Sequence, residues 1–156
     1  MTAAPLTIRA LRSIGVEVPM TYALGTSRGT LAKAPLLLID LETEQGVTGR
    51  SYLWCYFPAA VPAIAKILEE VERVVKGERV APVDLWSRLA ERFALIGVQG
   101  IVRMAMSGLD VAAWDALATD PVNLRWQAEM AKYFEAVPGL QPGERFAMMK
   151  EVFYME

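Results

Sequence analysis

Apolar and polar residues alternate in three segments near the start of the chain. Residues 6–18, LTIRALRSIGVEV, alternate well enough for a strand, and Pro19 is its expected end. The runs PLLLIDLET and VTGRSYLW, joined by the turn EQG, are typical of a β-hairpin. Residues 20–35 contain glycines and small hydroxyl residues without a sustained period, which predicts a mobile loop. We therefore expect a three-stranded antiparallel meander.

The apolar spacing then changes to three and four residues, which predicts three helices. The first covers residues 58–77 with Gly77 as its C-cap, the second begins after Asp84 as its N-cap, and the third runs from Val98 through Ala118. Their core-facing stripes are predicted to be Val61, Ile64, Leu68, Val71 and Val75; Leu85, Leu89 and Phe93; and Ile101, Met104, Ala105, Leu109 and Ala112.

A helix stop is followed directly by a helix start at Asp120 and Pro121. Aspartate is a good cap, and proline suits a first helical position. VNLRWQAEMAKYF then predicts a further helix, and RFAMMKEVFYM has the composition of a closing strand. The expected fold class is α+β: a meander, a helical bundle, and a C-terminal helix and strand. The predicted domains are residues 1–118 and 119–156.

Composition excludes several classes of protein. The 156 residues suffice for one domain, and no apolar run reaches the roughly 18 residues that span a bilayer. The start, MTAAPLTIRALRS, has no continuous apolar segment after a basic one, so we expect no secretory signal and a cytoplasmic location. A net charge of −2 without a basic stripe argues against nucleic acid, and the single Cys55 forms no internal disulfide.

The chain contains no histidine, so any proton transfer must use Asp, Glu, Lys, Tyr or the cysteine. No motif with metal-ligand, phosphate-loop or nucleophile-elbow spacing occurs. Asp40 and Glu42 share one face of a strand, and we interpret them as a solvated strand end. Asp110 and Asp115 lie five residues apart on a helix, and we interpret them as partners in surface or interhelical ion pairs.

Four aromatic residues, Tyr52, Trp54, Tyr56 and Phe57, surround Cys55 where a predicted strand becomes a loop. Two interpretations remain open: these rings close the small core, or they line a small-molecule pocket. The residues alone therefore predict a soluble α+β domain in which segments 20–35 and 51–60 are the candidates for ligand contact.

The stretches VPMTYALGTSRGTLAKAPLLLIDLETEQGVTGRSYLWCYFP and GLDVAAWDALA resemble the N-terminal capping domain of the enolase superfamily, mandelate racemase branch. The resemblance covers residues 1 to about 118. It implies a three-stranded sheet and a helical bundle that close over a separate (β/α)₈ barrel. It also implies that Leu24, Thr26 and Leu31 in a first loop and Tyr56 in a second line the substrate pocket.

The chemistry implied by this resemblance is abstraction of a proton next to a carboxylate, with Mg²⁺ stabilising the enediolate. In the family, that chemistry belongs to the barrel. A barrel needs about 250 residues, so we expect no catalytic and no metal-binding residue in this sequence. No cofactor is expected here, and Mg²⁺ is expected only with a complete barrel.

The last part, from WDALATDPVNLRWQAEMAKYF through MMKEVFYME, is similar to the C-terminal end of the L-rhamnose mutarotase family. That similarity implies sugar-binding roles for Arg125 and Trp126, although Gln127 stands where the family has a second aromatic residue. The family's N-terminal half, which carries its acid-base residues, has no counterpart here. The alternative is an unrelated helix-strand extension whose aromatic residues only pack.

Three functions are consistent with these observations. The first is a capping domain without catalytic activity of its own, and the second is an isomerase acting on a sugar or sugar acid, alone or in a complex. The third is a non-catalytic interaction module. The expected partners are a second copy of the chain, a separate barrel-containing chain, and a small carboxylate or sugar. The final strand is apolar on both faces, so we expect it to pair with the sheet or with another copy.

Overall fold

The computed structural model describes residues 5–121. The chain divides into two units, residues 1–120 and 121–156, and the following account concerns the described residues alone. The elements are β1 (Ile8–Thr26), β2 (Gly29–Thr43), β3 (Thr48–Trp54), α1 (Ala60–Val75), α2 (Pro82–Arg92) and α3 (Ile101–Thr119). The predicted meander followed by three helices is confirmed.

The antiparallel sheet has the order β1-β2-β3, so β1 and β3 are its edge strands. Leu37, Ile39 and Leu41 of β2 are buried, because alternate side chains of this strand point toward the helices. The side chains between them point away. We call this outward surface the open face; its cross-strand rows are Arg12, Asp40 and Arg50; Ile14, Leu38 and Tyr52; and Val16, Leu36 and Trp54.

The mobile loop predicted for residues 20–35 is wrong, because this segment is a β-hairpin. Pro19 pairs with Lys33, and after an irregularity in register the pairing resumes at Leu24 and Leu31 and ends at the turn before Gly29. Pro19 does not end the strand, since β1 lies at the sheet edge, where a missing N–H costs no internal sheet hydrogen bond. The sequence pattern misses this hairpin because few of its side chains are buried.

The apolar stripes predicted for α1 and α2 are confirmed by their burial, except that Val61 is only half-buried. Gly77 follows the C-cap of α1 with a φ of 82°, a left-handed conformation that glycine adopts without strain. The predicted N-cap at Asp84 is wrong, because α2 already begins at Pro82 and Asp84 lies in its first turn. Proline is favoured there, since its fixed φ suits the helix and its missing N–H would have had no helical acceptor.

Helix α3 is buried on more of its circumference than the predicted single stripe. It contacts β3 and β2 on one side and α1 and α2 on others. Ile101 is 41% exposed, so its predicted core position is wrong, and Met104 is only half-buried. The buried residues of α3 are Val102, Ala105, Met106, Gly108, Leu109, Ala112, Ala113 and Ala116. Small residues dominate this set because the helix lies between other elements.

The backbones of β3 and α3 approach each other closely at Gly49, and the side chain of Ile39 on β2 packs directly on Gly108 of α3. A Cβ atom on Gly49 would lie 1.9 Å from the carbonyl oxygen of Ala112, and one on Gly108 would lie 2.4 Å from Cδ1 of Ile39. Two hydrogen bonds join the same elements. The Ser51 hydroxyl donates to the Gly108 carbonyl at 2.6 Å, and the Arg50 backbone N–H donates to Asp115 Oδ2 at 2.7 Å.

The predicted helix stop is confirmed, since α3 ends at Thr119 and Asp120 is its C-cap. The predicted C-terminal helix and strand lie outside the described residues, as do Arg125 and Trp126. The boundary between residues 118 and 119 stays a prediction. Among the described helices, none has the length and apolar character needed to cross a membrane.

Replacement of Gly49 by alanine is expected to destabilise the fold by roughly 3 kcal/mol or more, because the new methyl group would force α3 away from β3. The matched control is Gly25→Ala, where a Cβ atom meets nothing within 4 Å. This control should change stability by less than about 0.5 kcal/mol. Urea unfolding followed by circular dichroism measures both. Equal midpoints for the two variants would contradict the close approach.

Candidate functional site

The first predicted site segment lies at the tip of the β1–β2 hairpin. Leu24 is 39% exposed and pairs across the hairpin with Leu31, which is half-buried. The Thr26 hydroxyl donates to the Gly29 carbonyl at 2.8 Å and accepts the Arg28 N–H at 3.2 Å. Thr26 therefore holds the turn, and the two leucines provide the apolar surface of the tip.

The second predicted segment follows β3 directly. Tyr56 is 56% exposed and has a φ of 58°, a left-handed conformation that is uncommon for a residue with a side chain. Its ring lies 5.9 Å from that of Trp54, tilted by 39°. The preceding Cys55 N–H donates to the Pro35 carbonyl at 2.9 Å, so the segment is fixed to β2.

The sheet places both segments at the same end. Trp54, the last residue of β3, pairs with Leu36, and the hairpin continues from Leu36 in the direction of Leu31. At about 3.3 Å per residue, Leu31 lies roughly 17 Å beyond that pair. The tip is therefore a projecting arm, and Tyr56 lies near its base.

The aromatic group does not close the core. Tyr52, Tyr56 and Phe57 are 66%, 56% and 70% exposed, so the core interpretation is wrong for all three. Trp54 is half-buried, and its Nε1 is buried without a hydrogen-bond partner among the described residues. Burial raises the pKa of the Cys55 thiol, which stays protonated and is a poor nucleophile near neutral pH.

The open face carries a groove of about 840 Å³ lined by Arg12, Ile14, Leu38, Asp40, Arg50 and Tyr52, with Ser13 and Ser51. It lies away from the hairpin tip. Asp40 pairs with Arg50 at 3.6 Å, and Glu42 pairs with Arg9 at 2.9 Å and Arg12 at 2.8 Å. The hydrogen bond from Arg9 is the main cause that lowers the pKa of Glu42, and the charge of Arg12 adds to it.

Asp40 is exposed, as the interpretation of a solvated strand end requires, whereas Glu42 is half-buried against Arg9 and Arg12, so that interpretation holds for Asp40 alone. Each carboxyl group pairs with arginine, so the two provide no acid-base pair. In the part of the chain that the structure describes, no group of three or more acidic, cysteine or histidine residues is placed to hold a metal ion.

The ion pairs predicted for Asp110 and Asp115 are wrong. Asp115 accepts the backbone N–H of Arg50 and thereby secures the edge strand β3 to α3. Asp110 is half-buried between α2 and α3, and burial raises the pKa of its carboxyl group. Their five-residue spacing places them on different sides of the helix, but only the packing shows what each side meets.

The described fold and sequence match one known protein family. The family model for the mandelate racemase/muconate lactonizing enzyme N-terminal domain matches residues 10–122. The chain belongs to this family. Its sheet followed by three helices is the enolase capping-domain fold, and we refer to the described part as the cap.

Solved relatives carry the same cap. An enolase from Bradyrhizobium, complexed with magnesium and mandelic acid, is 39% identical, with a TM-score of 0.71 over 75% of this chain and 32% of that one. An enolase from an alphaproteobacterium with bound magnesium is 34% identical, with a TM-score of 0.68 over 72% and 31%. L-Talarate dehydratase from a Polaromonas species shares the fold at 23% identity and a TM-score of 0.61, over 72% and 32%. The chain thus spans about a third of the length of these relatives.

Replacement of Asp110 by asparagine is expected to stabilise the cap at neutral pH. A raised pKa means that the folded state holds the proton more tightly, so stability falls as pH rises from the ordinary aspartate pKa through the folded value. Asparagine carries no charge, so the variant does not have the free-energy cost of a partly buried carboxylate. Thermal unfolding should therefore show a higher melting temperature for Asp110→Asn at neutral pH and no difference in strong acid. The exposed Glu69→Gln serves as control, and a destabilised Asp110→Asn would contradict the assignment.

Proposed function

We propose that this chain is the substrate-capping domain of a mandelate racemase-like enzyme. The observation that carries the proposal is the placement of the hairpin tip and the Tyr56 segment at one end of the sheet. Both expose apolar or aromatic side chains that the cap core does not use. The left-handed backbone of Tyr56 adds support, since such conformations concentrate at functional sites.

In this proposal the cap excludes water and shapes the pocket. Leu24 and Leu31 supply an apolar wall, Thr26 keeps their turn in place, and Tyr56 covers the base of the arm. The substrate class is a small carboxylate, which the 39% identity to an enolase crystallised with mandelic acid supports. Proton abstraction and Mg²⁺ binding belong to a barrel, supplied by further polypeptide or by a separate chain. The 156-residue sequence alone is proposed to be catalytically inactive and to gain no thermal stability from Mg²⁺.

A hybrid protein tests the proposal, with residues 1–121 of this chain replacing the matching domain of the Bradyrhizobium enolase. With Mg²⁺ present, Tyr56→Ala should weaken mandelate binding by about tenfold, because a buried aromatic contact contributes roughly 1.4 kcal/mol or more. Tyr52→Ala is the matched control, since Tyr52 is similarly exposed but lies on the open face. Calorimetric titration gives both affinities.

Two results of this experiment would count against capping. One is an equal loss of affinity in both tyrosine variants, and the other is an unchanged affinity in Tyr56→Ala. A second hybrid replaces the hairpin tip by a short turn. If it folds and binds mandelate as tightly as the hybrid with the intact tip, Leu24 and Leu31 have no role in binding.

The same cap is proposed to associate with a second copy through the open face. Ile14, Leu38 and Tyr52 form one exposed apolar row, and exposed rows of this kind commonly mark contact surfaces. The adjacent row of Arg12, Asp40 and Arg50 contains charges of both signs, so the apolar row is bordered by groups that can pair with either charge on a second copy. Association through the open face is also what a non-catalytic interaction module would do, so this proposal includes that alternative.

Sedimentation at micromolar concentrations is expected to show a dimer or larger assembly of the full chain. Ile14→Lys should shift it toward monomer, because a lysine within the apolar row is costly to desolvate. Val111→Lys, at an exposed apolar residue of α3, should leave assembly unchanged. A monomeric full chain would refute association, and equal effects of both lysines would refute the open face as its site.

The isomerase alternative rests on the residues after Asp120. The family match ends at residue 122, so it does not cover this tail. We propose that this tail is related to the L-rhamnose mutarotase C-terminus, with Arg125 and Trp126 as its sugar-binding candidates. The RWQ sequence lacks the second aromatic residue of that family, so the cap remains the favoured function.

A further inference from the structure

A small groove between α2 and α3 lies apart from both the hairpin tip and the open face. It has a volume of about 330 Å³ and is lined by Val83, Trp86, Ser87 and Asp110. Val83 is 67% exposed although its side chain is apolar, and Trp86 and Asp110 are half-buried. The groove therefore combines an apolar wall with a carboxylate and a hydroxyl.

The carboxylate of Asp110 has no compensating partner among the described residues. It forms no ion pair and accepts no hydrogen bond there, and burial is the sole cause that shifts its pKa upward. Its neighbours on α3, Leu109 and Ala113, are buried. A partly desolvated carboxylate without a donor is unfavourable for the cap alone, so a cation supplied from outside would regain that free energy.

The cation beside Trp86 does not fill this role. Arg103 lies over the Trp86 ring, with its guanidinium carbon 5.8 Å from the ring centroid. It precedes Asp110 by seven residues on α3, which places it about 10 Å away along the helix axis. The Ser87 hydroxyl donates to the Val83 carbonyl at 3.1 Å, so its oxygen remains an acceptor.

We propose that this groove binds one basic side chain, lysine or arginine, of a partner polypeptide. The methylene stem packs on Val83 and the edge of Trp86, and the charged head donates to Asp110 and Ser87. Basic side chains match this arrangement because they combine an apolar stem with a cationic end. The inference is independent of the capping role, which uses other elements.

Titration of the full chain with N-acetyl-arginine amide tests the proposal, with amide and indole N–H signals followed by NMR. Saturable shifts are expected at Trp86, Ser87 and Asp110, and N-acetyl-lysine amide should act at the same signals. N-acetyl-citrulline amide is the matched neutral probe and should produce no saturable shift. Asp110→Asn should weaken binding of the arginine probe by about tenfold, the loss of one charge-assisted hydrogen bond.

Two controls make the outcome decisive. Glu69→Gln removes an exposed carboxylate on α1 and should leave the titration unchanged. The amide spectrum of Asp110→Asn should remain that of the folded chain, because the substitution keeps shape and removes a desolvated charge. Equal shifts with arginine and citrulline probes would overturn the proposal, and so would equal affinity of the wild type and Asp110→Asn.

Discussion

The close approach of α3 to β3 is the constraint on which the rest of the cap depends. Gly49 allows the two backbones to meet, Gly108 leaves room for the Ile39 side chain of β2, and the hydrogen bonds of Ser51 and Asp115 join β3 to α3. Because α3 also packs against α1 and α2, its distance from the sheet sets the position of the helical layer. The same contact fixes β3, whose end carries Tyr56. A methyl group at Gly49 would therefore disturb both the core and the proposed pocket.

The projecting hairpin determines how the cap would meet a substrate. Paired strands satisfy their own backbone hydrogen bonds, so Leu24 and Leu31 keep a fixed spacing although few residues around them are buried. A preformed arm loses less conformational entropy on contact than a mobile loop does. Cys55 similarly fixes the base of the Tyr56 segment to β2. Both proposed contact segments are thus ordered before any ligand is present.

The two other surfaces of the cap differ in how their charges are compensated. On the open face, Asp40 and Glu42 are neutralised by neighbouring arginines within the same sheet. In the α2–α3 groove, Asp110 has no such neighbour and is partly desolvated. Surface ion pairs contribute little to stability. The charges of the open face therefore act mainly by keeping that surface hydrated and by orienting the paired side chains. An uncompensated carboxylate instead lowers stability, which is why the groove points to a partner of opposite charge.

The sequence by itself determined the meander, the helix order, the stripes of α1 and α2 and the end of α3. The first three follow from the period of burial against a single neighbouring layer, and the end of α3 follows from the pair Asp120 and Pro121. Only the tertiary structure decided the hairpin at residues 20–35, the surroundings of α3 and of Asp110, and the partner of Asp115. The hairpin buries too little to leave a pattern, and α3 contacts several layers, so one stripe does not describe it. A carboxylate shows its role only through the groups around it, and folding brings those from residues distant in the chain.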